Sequence, residues 1–207
     1  MGNDYVSDPR AGVVGSTTPG HYGVAESGVM LAQVPIAIAW NVQGDPSRES
    51  FVAESQRLFA TSLPLIPNTT SRGAAWSALW LGPRSWLLVA RDPSTDTHPD
   101  AAFTAARDVL NSAGGALFEV TASRVAFAVG GTHAANVLAK SCPLDFHPDI
   151  FTAGQCAQSL LGHVNALFYR PDATLMFIVI VARSFAHDVW HALCASAAQY
   201  GYDVAPA

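Results

Sequence analysis

The 207-residue chain has little charge, and this scarcity excludes one class of function. Only 13% of its residues are Asp, Glu, Lys or Arg, against about 25% in an ordinary soluble domain. There is a single lysine, Lys140, and the arginines are scattered along the sequence. With a formal net charge of −5 and no basic stripe to neutralise successive phosphates, nucleic-acid binding is excluded. So few charges predict a subunit whose surface is largely covered by partners.

Long apolar runs and paired cysteines are also missing. The longest apolar run, 29–40, is interrupted by a glutamine and a proline and falls short of the roughly 18 residues of a membrane helix. The three cysteines, Cys142, Cys156 and Cys194, form no CxxC pair, which suits a reducing compartment where they act as small buried hydrophobic residues. The first residues show no basic segment followed by an apolar stretch, so no secretory signal is predicted. We expect a cytoplasmic protein.

Two halves with the same order of predicted elements account for most of the chain. Residues 1–28 are rich in glycine and poor in large apolar side chains, so we predict a flexible N-terminal arm and regular structure from about Val29. The remaining domain, 29–207, contains two pseudo-repeats, 29–120 and 123–204. Alternating and helical periodicities predict β-α-β-β-α-β in each. The sequence therefore predicts an α+β fold of two related, interlocked halves.

Local signals place the individual helices and strands. Asp45-Pro46 predicts the N-cap and first position of the first helix, and Ser184 predicts the N-cap of the last helix. In the first half, Ala75–Leu81 and Trp86–Arg91 predict a hairpin. In the second half, Leu160–Tyr169 predicts a single strand.

His187 and His191 form the sharpest local pattern, because two histidines four apart on a helix match the spacing of the HExxH zinc motif. Asp188 stands where that motif has its general-base glutamate, and no third ligand is evident. The predicted buried stripe of the helix comprises Phe185, Val189, Leu193 and Tyr200. Both histidines fall on roughly the opposite face. We therefore predict a polar or partner-facing helix and no zinc enzyme.

Other groups of residues have a functional and a structural interpretation. A triad of Ser184, His187 and Asp188 is disfavoured, because Asp188 is rotated about 100° from His187 on the same helix. The turn Gly130–Thr132 could cradle a phosphate, but the full GxGxxG pattern is missing and a plain tight turn is favoured.

The loop that holds Asp145, His147 and Asp149 could bind a metal, although Asp and His beside prolines are ordinary turn residues. Considered by residue chemistry alone, the chain offers no convincing catalytic, cofactor-binding or metal-binding residue.

The predicted hairpin contains three tryptophans, Trp76, Trp80 and Trp86. Packing in the core and contact with a partner are equally favoured interpretations of these side chains. If the apolar excess marks interfaces, the isolated chain should aggregate or bind a hydrophobic dye. The candidate contact regions are the face of His187 and His191 and the hairpin of Trp80.

Five segments of the chain resemble one known family: Leu79–Leu88, Ser123–Gly131, Cys142–Pro148, Phe151–Gly154 and Ala182–Phe185. The likeness as a whole extends from about Val29 to Val204. Their sequences resemble the gamma subunit of heterotetrameric sarcosine oxidase. One departure is Arg84-Ser85, where that family tends towards an acidic pair.

The resemblance implies a non-catalytic structural subunit of a bacterial enzyme of sarcosine catabolism and one-carbon metabolism. The assembly would demethylate sarcosine oxidatively to glycine, release hydrogen peroxide and pass the one-carbon unit to tetrahydrofolate. Its alpha, beta and delta subunits would be the partners of this chain, and FAD, FMN, NAD and tetrahydrofolate would be bound elsewhere in the assembly. The family's fold looks like the folate-binding domain of the glycine-cleavage aminomethyltransferase.

The alternative is a free-standing folate-binding or one-carbon transfer module. A folate pocket would need a carboxylate for the pterin ring, and Asp145 and Glu119 are the candidates. We expect no folate binding by this chain.

Overall fold

The structure is a computed structural model that describes residues 18–24, 26–91 and 99–205, and it is built from twelve strands and four α-helices in that part. The strands of the first half are β1 (Gly20–Tyr22), β2 (Val29–Val34), β3 (Ala39–Gln43), β4 (Thr70–Arg72), β5 (Trp76–Gly82), β6 (Ser85–Ala90) and β7 (Ala116–Glu119). Those of the second half are β8 (Arg124–Gly130), β9 (Cys156–Leu161), β10 (Val164–Tyr169), β11 (Met176–Ala182) and β12 (Tyr202–Val204). The helices are α1 (Glu49–Phe59), α2 (Pro99–Ser112), α3 (Ala134–Ala139) and α4 (Ala186–Ala197). None of these helices is long and apolar enough to cross a membrane.

The strands form two sheets that share one plan. The five-stranded sheet has the order β4-β5-β6-β3-β7, and the seven-stranded sheet has the order β1-β12-β2-β8-β11-β10-β9. When the seven-stranded order is read from β9 and strands β1 and β2 are left out, it repeats the five-stranded order. Strands β9, β10, β11, β8 and β12 then take the places of β4, β5, β6, β3 and β7. The predicted β-α-β-β-α-β order is therefore confirmed in each half, and each half adds one edge strand before its hairpin.

The predicted single strand Leu160–Tyr169 is wrong. The chain reverses at Gly162, which has a φ of 62°, and β9 pairs with β10 from Leu161↔Val164 to Cys156↔Tyr169. A left-handed glycine permits this tight reversal inside an otherwise apolar stretch.

Strand β2 interlocks the two halves. It precedes the first half in sequence but lies in the sheet of the second half, between β8 and β12. It pairs antiparallel with β8, from Met30↔Gly130 to Val34↔Ala126, and parallel with β12, starting at Val29↔Tyr202. The sheet of the second half is therefore incomplete without a segment from the start of the chain.

The two sheets pack face to face, and the helices cover their outer faces. Alternate residues of β8 show this arrangement, because Phe127 packs with Val137 and Trp190 of the helices, whereas Ala126 packs with Leu79 of the other sheet. Helices α1 and α2 cover the five-stranded sheet in the same way. The result is four layers in the order helix, sheet, sheet, helix, so most strands are buried on both faces.

Regular structure begins before the predicted position. Strand β1 lies inside the segment 1–28 that was predicted to be an arm, and it pairs antiparallel with β12. His21 Nδ1 lies 2.8 Å from Asp203 Oδ1, and this contact raises the pKa of His21 and lowers that of Asp203. The prediction for residues 1–17 and residue 25 lies outside the described residues.

Both predicted N-caps are wrong. Asp45 Oδ1 accepts hydrogen bonds from the backbone N–H and the hydroxyl of Ser47, so Asp45 closes a turn, and α1 begins at Glu49. Ser184 lies in a 3-10 turn, and α4 begins at Ala186. In each case an additional turn separates the capping residue from the helix, which sequence periodicity does not reveal.

Candidate functional site

The histidine pair of α4 lies at the surface. His187 and His191 are exposed, whereas Val189 is buried, so the predicted face of the helix is confirmed. Phe185 was predicted to be buried and is 41% exposed, because it belongs to the 3-10 turn before the helix. Trp190, which the predicted stripe omitted, is buried and packs on the sheet.

No catalytic or metal-binding constellation is present in the described ranges. There, no three His, Cys, Asp or Glu side chains lie close enough together to hold a metal ion. Ser184 and Asp188 are exposed like the histidines, without the enclosed cleft that a triad requires. In the loop that holds Asp145, His147 and Asp149, the backbone N–H of His147 donates to Asp145 Oδ1 at 2.8 Å. This hydrogen bond is typical of a turn.

The glycine turn after β8 brings the backbone of Gly131 close to that of Gly28. Gly131 has a φ of 98°, and a Cβ atom at this position would lie 2.5 Å from the carbonyl oxygen of Gly28. The N–H groups that would hold a phosphate are already used, since Gly131 donates to Leu175 and His133 donates to Gly28. A tight turn therefore accounts for the glycine at position 131.

The tryptophans of the β5–β6 hairpin belong mainly to the core. Trp86 is fully buried, and its Nε1 donates to the carbonyl oxygen of Pro64 at 2.7 Å. The ring of Trp76 lies 4.7 Å from that of Trp40. Trp80 is half-buried and opposes Trp86 across the hairpin.

The two candidate folate carboxylates are not part of one pocket. Asp145 lies in the loop after α3, and Glu119 lies at the end of edge strand β7 of the other sheet. Both are exposed. Glu119 Oε1 accepts from the backbone N–H of Thr121 at 2.9 Å, so each carboxylate serves a local turn.

Two buried arginine groups differ sharply in their surroundings. Arg170 is 5% exposed, and its guanidinium donates to four carbonyl oxygens, those of Pro148, Phe151, Ala173 and Thr174. Arg124, the first residue of β8, has a buried Nε without a hydrogen-bond partner among the described residues. The first arginine is therefore a satisfied structural cation, whereas the second has unused donor capacity.

Arg124 lines a cavity of about 390 Å³ between the two sheets. The apolar part of its wall includes Leu81, Leu87, Leu160, Leu167 and Ile180, and the polar part consists of Arg124, Gln158, Ser159 and Asn165. Gln158 Nε2 is used, because it donates to the carbonyl oxygen of Leu81 at 2.7 Å. No role was predicted for Arg124, and the one signal for it in the sequence is a cation at the start of an apolar strand.

A second feature that sequence analysis missed is an apolar surface beside α1. Val52 is 46% exposed, and Leu65 and Ile66 are 66% and 69% exposed. Val52 and Leu65 line a groove of about 200 Å³ together with Ser55, whose buried Oγ has no hydrogen-bond partner in the described part of the chain. The signal in the sequence was an apolar pair between Pro64 and Pro67 in a loop.

Native Cys156 is expected to react with thiol reagents at least about 100-fold more slowly than an unfolded cysteine at pH 8, because it is fully buried and its thiolate is depleted. Burial raises its pKa from 9.0 to about 11, so the reactive thiolate is depleted by that factor. Mass-spectrometric mapping of alkylation times will measure the rate, with urea-unfolded protein as the control. Equal rates in the two states would contradict the burial of this thiol between the sheets.

Comparison with known proteins identifies several relatives of the chain. Residues 43–199 match the family described as "Sarcosine oxidase, gamma subunit family". The sarcosine oxidase subunit gamma of Corynebacterium sp. (strain P-1) is 28% identical over 164 residues, which cover 78% of this chain and 76% of the relative.

Two solved structures share the fold. One is a chain of the heterotetrameric sarcosine oxidase from Corynebacterium sp. U-96, with a TM-score of 0.75, 23% identity and coverage of 86% of this chain and 88% of that one. The other is the glycine cleavage system aminomethyltransferase T from Bartonella henselae, with a TM-score of 0.59, 15% identity and coverage of 86% and 48%. The expected fold likeness is thus confirmed.

Proposed function

Since this chain belongs to the sarcosine oxidase gamma subunit family, we propose that it is a non-catalytic structural subunit of a heterotetrameric sarcosine oxidase. The match of residues 43–199 to the family carries the proposal. The partners are the alpha, beta and delta subunits, and the assembly acts in the cytoplasm. It demethylates sarcosine oxidatively to glycine, with release of hydrogen peroxide and transfer of the one-carbon unit to tetrahydrofolate.

FAD, FMN, NAD and tetrahydrofolate are proposed to be bound by other subunits. The donor groups of this chain fit a folate poorly, because Asp145 and Glu119 are exposed on separate sheets and each accepts a hydrogen bond from a nearby backbone N–H. Its own contribution is a rigid four-layer body that presents apolar surface to its partners.

The proposal is tested by expressing the chain alone and together with the large subunits. We expect no sarcosine-dependent peroxide formation by the isolated chain, and co-purification with the flavin-bearing subunits when they are expressed together. Turnover by the isolated chain would contradict a non-catalytic role. Failure to co-purify would contradict membership of the assembly.

A double variant, His187→Ala with His191→Ala, is expected to leave sarcosine turnover of the assembled enzyme within about twofold, less than about 1 kcal/mol in the barrier. Both histidines are exposed on α4, and neither belongs to a metal-binding group in the described ranges. Steady-state peroxide assays of the purified assembly will measure the effect. Lost activity in an intact assembly would reveal a direct role, and lost assembly would mark this face as a subunit contact.

The isolated chain is expected to bind a hydrophobic dye, and replacing Leu65 and Ile66 by serine should remove about half of that fluorescence. These two side chains are the most exposed of the large apolar residues described. Dye titration of the wild type, the double variant and a Leu175→Ser control, which alters another exposed apolar site, will test this. Equal fluorescence of all three proteins would show that this surface is not the main apolar patch.

A further inference from the structure

We propose that the cavity between the two sheets binds a carboxylate, with Arg124 as its anchor. The carboxylate is carried on a short apolar stem, either as a free organic acid or as an acidic side chain of a neighbouring subunit. The ligand class follows from the surroundings of Arg124, whereas a neighbouring subunit as its source rests on the proposed function.

Arg124 has an unused hydrogen-bond donor. Its Nε is buried and has no hydrogen-bond partner among the described residues, and the residue lines the cavity. A buried donor left without an acceptor is costly, and native proteins rarely retain one without a ligand or water. Arg170 shows the usual solution in the same protein, since four carbonyl oxygens surround its guanidinium.

The charge of the cavity lining favours an anion. Arg124 is the one charged residue in its lining, and the other polar side chains there, Gln158, Ser159 and Asn165, are neutral. The lining therefore includes one positive charge and no negative charge, in partly apolar surroundings where Coulomb attraction is stronger than in water. The planar fork of a guanidinium matches a carboxylate with two parallel hydrogen bonds.

The size of the cavity and the chemistry of its walls favour an apolar stem on that anion. Leucine and isoleucine side chains from both sheets, including Leu81, Leu167 and Ile180, form the apolar part of the lining. The volume of about 390 Å³ is within the range of small-molecule sites, roughly 300 to 1,000 Å³. An inorganic anion would leave these walls unused, whereas an acid with a short hydrocarbon stem uses both the charge and the walls.

The ligand experiment compares hexanoate with hexanamide on the purified full-length chain by calorimetry. The two probes have the same stem and differ in charge, so we expect hexanoate to bind at least about tenfold more tightly. Arg124→Met should abolish that preference, and Arg57→Met should keep it, because Arg57 is an exposed arginine paired with Glu54.

The assembly experiment measures the dissociation of the co-purified complex. If an acidic side chain of a neighbouring subunit occupies the cavity, Arg124→Met should accelerate dissociation at least about tenfold, and Arg57→Met should not. Arg124→Lys keeps the charge but loses the planar fork, so it should fold like the wild type and dissociate at an intermediate rate.

The outcomes separate the two sources. A hexanoate preference that depends on Arg124, with unchanged dissociation, identifies a free acid as the ligand. Faster dissociation of Arg124→Met alone identifies a carboxylate of a neighbouring subunit. Equal affinity for the two probes, together with a wild-type dissociation rate for Arg124→Met, overturns the proposal and leaves water as the partner of Arg124. The comparison of the two probes uses the wild type and needs no variant to fold.

Discussion

An Arg170→Met variant is expected to lose about 3 to 5 kcal/mol of its free energy of unfolding. The guanidinium is buried and donates to the carbonyl oxygens of Pro148, Phe151, Ala173 and Thr174, at distances from 2.8 to 3.3 Å. Methionine fills similar space but donates nothing, so several carbonyl groups would lose their partner in a site that water reaches poorly. Denaturant titration of the purified chain will measure the loss.

The matched control is Arg107→Met. Arg107 contacts Asp108 at the surface, and exposed ion pairs contribute about 0 to 1 kcal/mol. A loss below about 1 kcal/mol in Arg170→Met would show that the four carbonyl groups find other partners. Because Arg170 also lies over the ring of Phe177, the variant should disturb the aromatic cluster of the second half as well.

Gly131→Ala is expected to destabilise the chain by about 2 to 4 kcal/mol. The residue has a φ of 98°, which an L-side chain adopts only with strain. The added Cβ would also lie 2.5 Å from the carbonyl oxygen of Gly28, which is fixed by a hydrogen bond from His133. The clash is therefore with backbone that must move, and thermal or chemical unfolding will report it.

Gly82→Ala serves as the control for this prediction. A Cβ at Gly82 would meet nothing within 4 Å, and the residue lies in the β5–β6 hairpin. We expect a change within about 0.5 kcal/mol there. Similar losses in the two variants would mean that the contact with Gly28 is not what requires glycine at 131.

Sequence patterns predicted the order of elements well, because alternation and helical periodicity directly reflect which side chains are buried. They failed where an element is short or its neighbours are remote. Strand β4 has the sequence Thr70–Arg72, which carries no apolar alternation, and it exists because it pairs with β5. The reversal at Gly162 was missed because a single glycine in an apolar stretch is a weak turn signal.

For the candidate site, too, local patterns were predictable and tertiary contacts were not. The exposure of His187 and His191 was predicted correctly, since helical phase alone determines which face of α4 they occupy. The difference between Arg124 and Arg170 was not predictable, because it depends on tertiary contacts. The acceptors of Arg170 come from the loop before β9 and the loop after β10, whereas Arg124 Nε has no such acceptor among the residues that the structure describes.

The position of β2 has a consequence for the synthesis of the protein on the ribosome. As the chain emerges, residues 29–34 appear early, but their two strand partners are residues 124–130 and 202–204. The five-stranded sheet can form once Glu119 has emerged. Strand β2 can pair with β8 once residue 130 has emerged, but its other edge stays unpaired until residues 202–204 follow. The sheet of the second half is therefore completed later than that of the first half, and chaperone binding during that delay should centre on the segment around β2.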